Sequence, residues 1–79
     1  METLVPEVMT KVKEFYEKYG EDMQDCNPNA LELLESVVKK GDFVLLDDFI
    51  YYYLEEIEAC HDNAIDLLLE ICNDAEIKV

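Results

Sequence analysis

Chain breakers are scarce in this sequence. Its two prolines and two glycines stand at Pro6, Gly20, Pro28 and Gly41, and nothing from Asp42 to Val79 is glycine or proline. Two-residue β-hairpins draw on glycine, or on Asn-Gly and Asp-Gly pairs, for their positive φ angles. A sheet of repeated hairpins therefore lacks its turns here. The runs "FVLL" and "FIYYYL" do contain β-favouring residues. Neither alternates with polar residues at a period of two, and the stretch 42–60 has no internal turn residue. The expected fold class is all-α.

Apolar spacing agrees. Val5, Val8, Met9, Val12, Phe15, Tyr16 and Tyr19 step by three and four, which lines one face of a helix. Thr3 is its expected N-cap, Pro6 suits its first turn, and Gly20 is its expected stop. "EDMQDCNPN" then reads as a loop. A second helix is predicted from about Asn29 to Lys40, with Ala30, Leu31, Leu34, Val37 and Val38 inward. Lys39 and Lys40 favour its C-terminal dipole and Gly41 ends it. Asp42 caps a third helix running to about Cys60, and Asp62 or Asn63 caps a fourth that ends near Asp74. Short links make neighbouring helices antiparallel, so residues 1–79 form a single domain, a compact four-helix arrangement.

Charge narrows function more than fold. Twenty acids face six lysines and no arginine, for a net charge of −14. Residues 41–79 hold eleven of those acids and only Lys78 as a cation. Such a field repels nucleic acid and anionic lipid and attracts basic protein surfaces. No direct nucleic-acid binding is expected. No apolar run reaches the ~20 residues that span a bilayer, so no membrane partner is expected either. Cys26, Cys60 and Cys72 are odd in number and show no CxxC spacing. "METLVPEVMT" lacks the apolar region of a signal peptide. Both features point to a reducing cytoplasm, with the cysteines as small core hydrophobes.

Tests for chemistry return little. Asp47/Asp48 and Glu55/Glu56 are paired carboxylates, but helix neighbours diverge by about 100°, and a site for developing charge wants a cationic or electrophilic group nearby. Read as a calcium loop, Glu21 to Glu32 places Met23 and Cys26 where an oxygen ligand and a glycine belong. Cys60, His61 and Cys72 lack zinc spacing. Acyl carrier proteins share the size and acidity, but the only serine, Ser36 in "LLESVVKK", lacks their Asp-Ser-Leu context. The expectation is no catalytic residue, no cofactor and no metal: not an enzyme.

The segment "KKGDFVLLDDFIYYYLEE" resembles small uncharacterised acidic helical proteins of Gram-positive bacteria or their phages, in which a Gly-Asp-aromatic-Val-Leu-Leu-Asp stretch opens a helix. It covers about a quarter of the chain. The resemblance implies a bacterial or phage origin and a helix at this place.

Projected at 100° per residue, helix three turns Phe43, Leu46, Ile50, Tyr53, Leu54 and Ile57 inward. Its outer arc collects Val44, Asp47, Asp48, Tyr51, Tyr52, Glu55 and Glu58. On helix four, Ala64, Leu68, Ile71, Cys72 and Ala75 turn inward. Asp62, Asp66, Glu70 and Asp74 form an acidic row, with Leu69 beside it. Like charges at i,i+4 each cost roughly 0.2–0.5 kcal/mol, so rows without interspersed lysines suggest a use. The expected use is docking of a basic protein surface by an inhibitor or nucleic-acid mimic. The carboxylates would speed encounter, and Val44, Tyr51, Tyr52 and Leu69 would anchor. The alternative is a small self-associating subunit, a homodimer with a seam of Val44, Leu45, Phe49 and Leu69.

Overall fold

The computed structural model describes residues 3–78. They form four helices: α1 Pro6–Cys26, α2 Pro28–Lys40, α3 Phe43–Cys60 and α4 Asp62–Asp74. Each packs on its neighbours in sequence, and α1 also packs on α4, which closes the four into a ring. The all-α class read from the breakers and the spacing is the observed one. No helix among the described residues is long and apolar enough to cross a membrane.

One boundary differs from expectation. α1 does not stop at Gly20 but continues six residues to Cys26, so the predicted loop is mostly helix. Gly20 is buried, and a Cβ built there would lie 3.4 Å from Leu31 Cδ1 on α2. The position is helical, and a side chain there would make an ordinary contact with Leu31, so the glycine is not a left-handed cap. Continuation also buries Met23 against the core. The actual break is Asn27, the single residue between α1 and α2. Its side-chain oxygen accepts from the backbone N–H groups of Asn29 (3.1 Å) and Ala30 (3.4 Å), which caps α2, and Pro28 occupies the first helical position. Its amide nitrogen donates to both carboxylate oxygens of Glu56 on α3, at 3.1 and 2.9 Å.

Gly41 is the cap that Gly20 is not. It has φ 61° and ψ 29°, and its N–H returns to Val37 O at 2.8 Å. Asp42 then caps α3 by accepting from Val44 N at 2.9 Å. The chain's start is stitched to the same corner: Leu4 N donates to Gly41 O at 2.8 Å, and Thr3 bridges Asp42. Thr3 is therefore not the cap of α1. Val5 holds that position and offers no side-chain acceptor.

Neither Asp62 nor Asn63 caps α4. The one-residue link makes His61 the cap, without a side-chain hydrogen bond. At the far end Ile77 N donates to Cys72 O (2.8 Å) and Glu76 N to Asn73 O (3.2 Å), with Glu76 at φ 59°. That is a Schellman turn with glutamate in the usual glycine place, and it folds Ile77 back onto the core.

The core centres on Phe15 and Phe49, whose rings meet edge to face at 6.4 Å. Val8, Val12, Leu34, Val37, Leu46, Leu68 and Ile71 surround them. Phe49 corrects the sequence reading, which put it on a dimer seam; it is fully buried. The inner arc of α3 is centred nearer Leu46 and Phe49 than Phe43 and Leu54, because α2 as well as α4 packs on α3 and covers the Phe49 flank. Cys72 alone among the cysteines is a core residue, and burial pushes its thiol up to about 11. Cys26 and Cys60 are exposed, contrary to the expectation that all three are core hydrophobes.

Candidate functional site

The outward arc of α3 is outward in the fold. Tyr51 is 81% exposed, Tyr52 66% and Val44 56%; Leu69 on α4 follows at 40%. Adjacent helical positions point about 100° apart, yet the Tyr51 and Tyr52 rings curl together, with centroids 5.1 Å apart at 83°. Edge-to-face pairing satisfies the quadrupoles of two rings that bury little else. Tyr52 touches Tyr53 at 6.4 Å and Tyr53 touches Phe49 at 5.7 Å, so the exposed pair is continuous with the aromatic core.

Two polar contacts fix how the acidic positions are distributed around this pair. Glu56 bonds Asn27 at the head of α2, so that flank of α3 faces α2. Lys11 of α1 bonds Glu70 at 2.7 Å and also Asp74, so that flank of α4 faces α1. The opposite flanks, with Asp47, Leu54 and Glu58 on α3 and Asp62, Ile65 and Leu69 on α4, therefore turn toward each other. With a single residue, His61, linking the antiparallel helices, residues equally far from it stand level. Leu69 thus lies at the height of Tyr51 to Leu54. By helical position, Asp47, Tyr51 and Glu58 fall toward the α4 flank of α3, and Asp62, Asp66 and Leu69 toward the α3 flank of α4. Val44 and Glu55 occupy the middle of the outer arc, and Asp48 and Tyr52 lean toward α2.

Glu70 does not join them. It belongs to the Lys11 cluster, in which the hydrogen bonds that the ammonium donates to Asp74 and then Glu70 hold it above the ordinary lysine value. The acidic row of α4 is therefore half compensated, by a lysine from another helix that a reading along the row could not see. Its N-terminal half, Asp62 and Asp66, has no ion pair among the described residues, nor do Asp47, Asp48, Glu55 and Glu58.

Elsewhere the chemistry-bearing residues stay scattered. Glu21 and Asp25 lie on α1 and Glu32 on α2, so the segment weighed as a calcium loop is two helices and a one-residue break. Ser36 donates to Glu32 O within α2 at 3.2 Å. Among the described residues no three of His, Cys, Asp and Glu converge closely enough to hold a metal ion. Sequence reasoning missed one convergence, of Cys26 with Cys60. Both residues end a helix, and only the identification of Asn27 as the break could have brought them together. No family model, curated protein or solved structure matches the chain.

Proposed function

We propose that this chain is a non-enzymatic, cytoplasmic binding module that docks a basic protein surface with the outer face of α3 and the adjoining start of α4. It would act as an inhibitor or nucleic-acid mimic. The observation that carries the reading is the Tyr51–Tyr52 pair, two phenol rings in mutual contact, mostly in solvent, on a helix whose outer carboxylates have no ammonium partner among the described residues. Aromatic residues on a folded surface are typical binding anchors, rigid and amphipathic. Surrounding like charges raise the encounter rate with a cationic partner and disfavour anionic ones.

Self-association is less well supported. Phe49 is absent from the proposed seam, and a two-fold contact through this face would set acids against acids. Sedimentation at rising salt separates the two readings. The binding module stays monomeric, whereas a homodimer held back by charge assembles as screening increases.

The functional test is affinity capture from a bacterial lysate. A basic protein retained at low salt, released by higher salt and lost with the Tyr51→Ala, Tyr52→Ala variant supports the proposal. Retention equal in the wild type and the variant overturns it.

A further inference from the structure

The end of the bundle away from Gly41 carries a second feature that docking does not use. Asn27 is tied to Glu56 by two hydrogen bonds. Cys26 immediately precedes Asn27 and is the last residue of α1; Cys60, one turn beyond Glu56 on the same face, is the last residue of α3. The Asn27–Glu56 clasp thus holds two helix ends together with a thiol on each. Both cysteines are exposed and line one shallow depression with Asp22, Asp25 and His61. Of the surrounding groups, Cys60 acts most strongly on the Cys26 thiol.

We propose that Cys26 and Cys60 form a dithiol site that reacts with small disulfides, preferably cationic ones, and closes to an intramolecular disulfide between α1 and α3. One protein thiolate attacks a sulfur of the small disulfide, giving a mixed disulfide and releasing one small thiol. The second protein thiolate then attacks the protein sulfur of that mixed disulfide and releases the other small thiol. The two protein sulfurs lose two electrons, the S–S bond of the reagent gains them, and the protein's two thiol protons end on the released thiols.

Three observations support the site beyond proximity. Both residues are the last of their helices, so adjustment toward an S–S bond of about 2.05 Å is not resisted by a following turn of the same helix. Asp22 and Asp25 line the depression with negative charge, which concentrates a cationic reagent and repels an anionic one. Cys72, the third thiol, is buried in the core and so is withheld from exchange. The field at the pair also sets its pace. The adjacent Cys60 thiol above all, with the Glu56 carboxylate adding to it, raises the exposed Cys26 thiol above its usual value. Exchange should therefore speed up with pH, by about tenfold per unit while the thiol is mostly protonated.

The test treats the reduced full chain with cystamine, a cationic disulfide, and in parallel with the anionic glutathione disulfide. The expected product is a monomer lighter by two hydrogens. Peptide mapping should link Cys26 to Cys60, with a single thiol, Cys72, reactive only after unfolding. The closed loop should raise Tm by about 10 °C or more, reversibly with dithiothreitol. Cystamine should act faster than glutathione disulfide, and the gap should shrink with salt. Cys60→Ser, at an exposed position, should stop at a mixed disulfide on Cys26 with no rise in Tm. A wild-type chain that ends with separate mixed disulfides on both cysteines, or with links between chains, overturns the proposal.

Discussion

The α1–α2 side and the outer side of α3 carry the same residue types, carboxylates and tyrosines, and use them in opposite ways. On α1, Glu14 pairs with Lys18 one turn on; on α2, Glu35 pairs with Lys39. Lys11 reaches across to α4 and gathers Glu70 and Asp74. Tyr16 and Tyr19 lie half-buried against the core, and Tyr19 also donates to Asn63 O at 3.3 Å. On α3 the acids have no lysine partner among the described residues, and Tyr51 and Tyr52 stand in solvent. The difference teaches that stability and recognition are assigned to different faces. Removing groups from the first should be felt by the fold, and removing them from the second should be felt only by a partner.

The strongest way to break that comparison lies within α3. Phe49→Ala should cost about 3–5 kcal/mol, whereas Tyr51→Ala and Tyr52→Ala should each stay within about 0.5 kcal/mol in urea melts. A tyrosine variant as costly as Phe49→Ala would place the pair in the service of folding. The glycines come next. Gly41→Ala forces a Cβ into a left-handed backbone and should cost about 1–2 kcal/mol. Gly20→Ala should gain about 0.5–1 kcal/mol, since the position is helical and the new Cβ meets only the tip of Leu31 at 3.4 Å. A loss at Gly20 would mean that α1 and α2 are packed too tightly for a methyl group.

Smaller again is the effect of Lys11. Its raised pKa makes its contribution fully present below the unfolded value of 10.5 and lost as pH rises past it. Thermal melts from pH 9 upward should therefore fall more steeply for the wild type than for Lys11→Met. Both should also show the loss expected from Cys72, whose thiol is raised by burial from 9.0 to about 11. Equal slopes would remove Lys11 from the stabilising side of the comparison.

Much of this was legible in the sequence, for a local reason. Helix identity follows from residue spacing, and the Gly41 and Asp42 boundary from cap chemistry; both are properties of contiguous residues. Phase placed Val44, Tyr51, Tyr52 and Leu69 on the acidic side of their helices but left open whether another helix covers the two tyrosines, which packing decides. What failed depends on neighbours distant in the chain. Gly20 looked like a stop because glycine is the common C-cap, whereas the burial of Met23 that accompanies the continuation of α1 depends on other helices. Phe49 looked superfluous because Phe15 and α2 shift the core arc. The row Asp62, Asp66, Glu70, Asp74 looked uncompensated because Lys11 comes from the opposite end of the sequence. Likewise Cys26 and Cys60 looked unrelated, since only the Asn27–Glu56 contact joins them.

The division of labour is tested most directly by the release rate of a captured partner. The wild type and the Tyr51→Ala, Tyr52→Ala variant, equally folded, would be compared at one salt concentration. If the pair is the anchor, dissociation should quicken by about tenfold or more while association changes little. A dissociation rate unchanged by loss of both rings would contradict the assignment of this face to recognition.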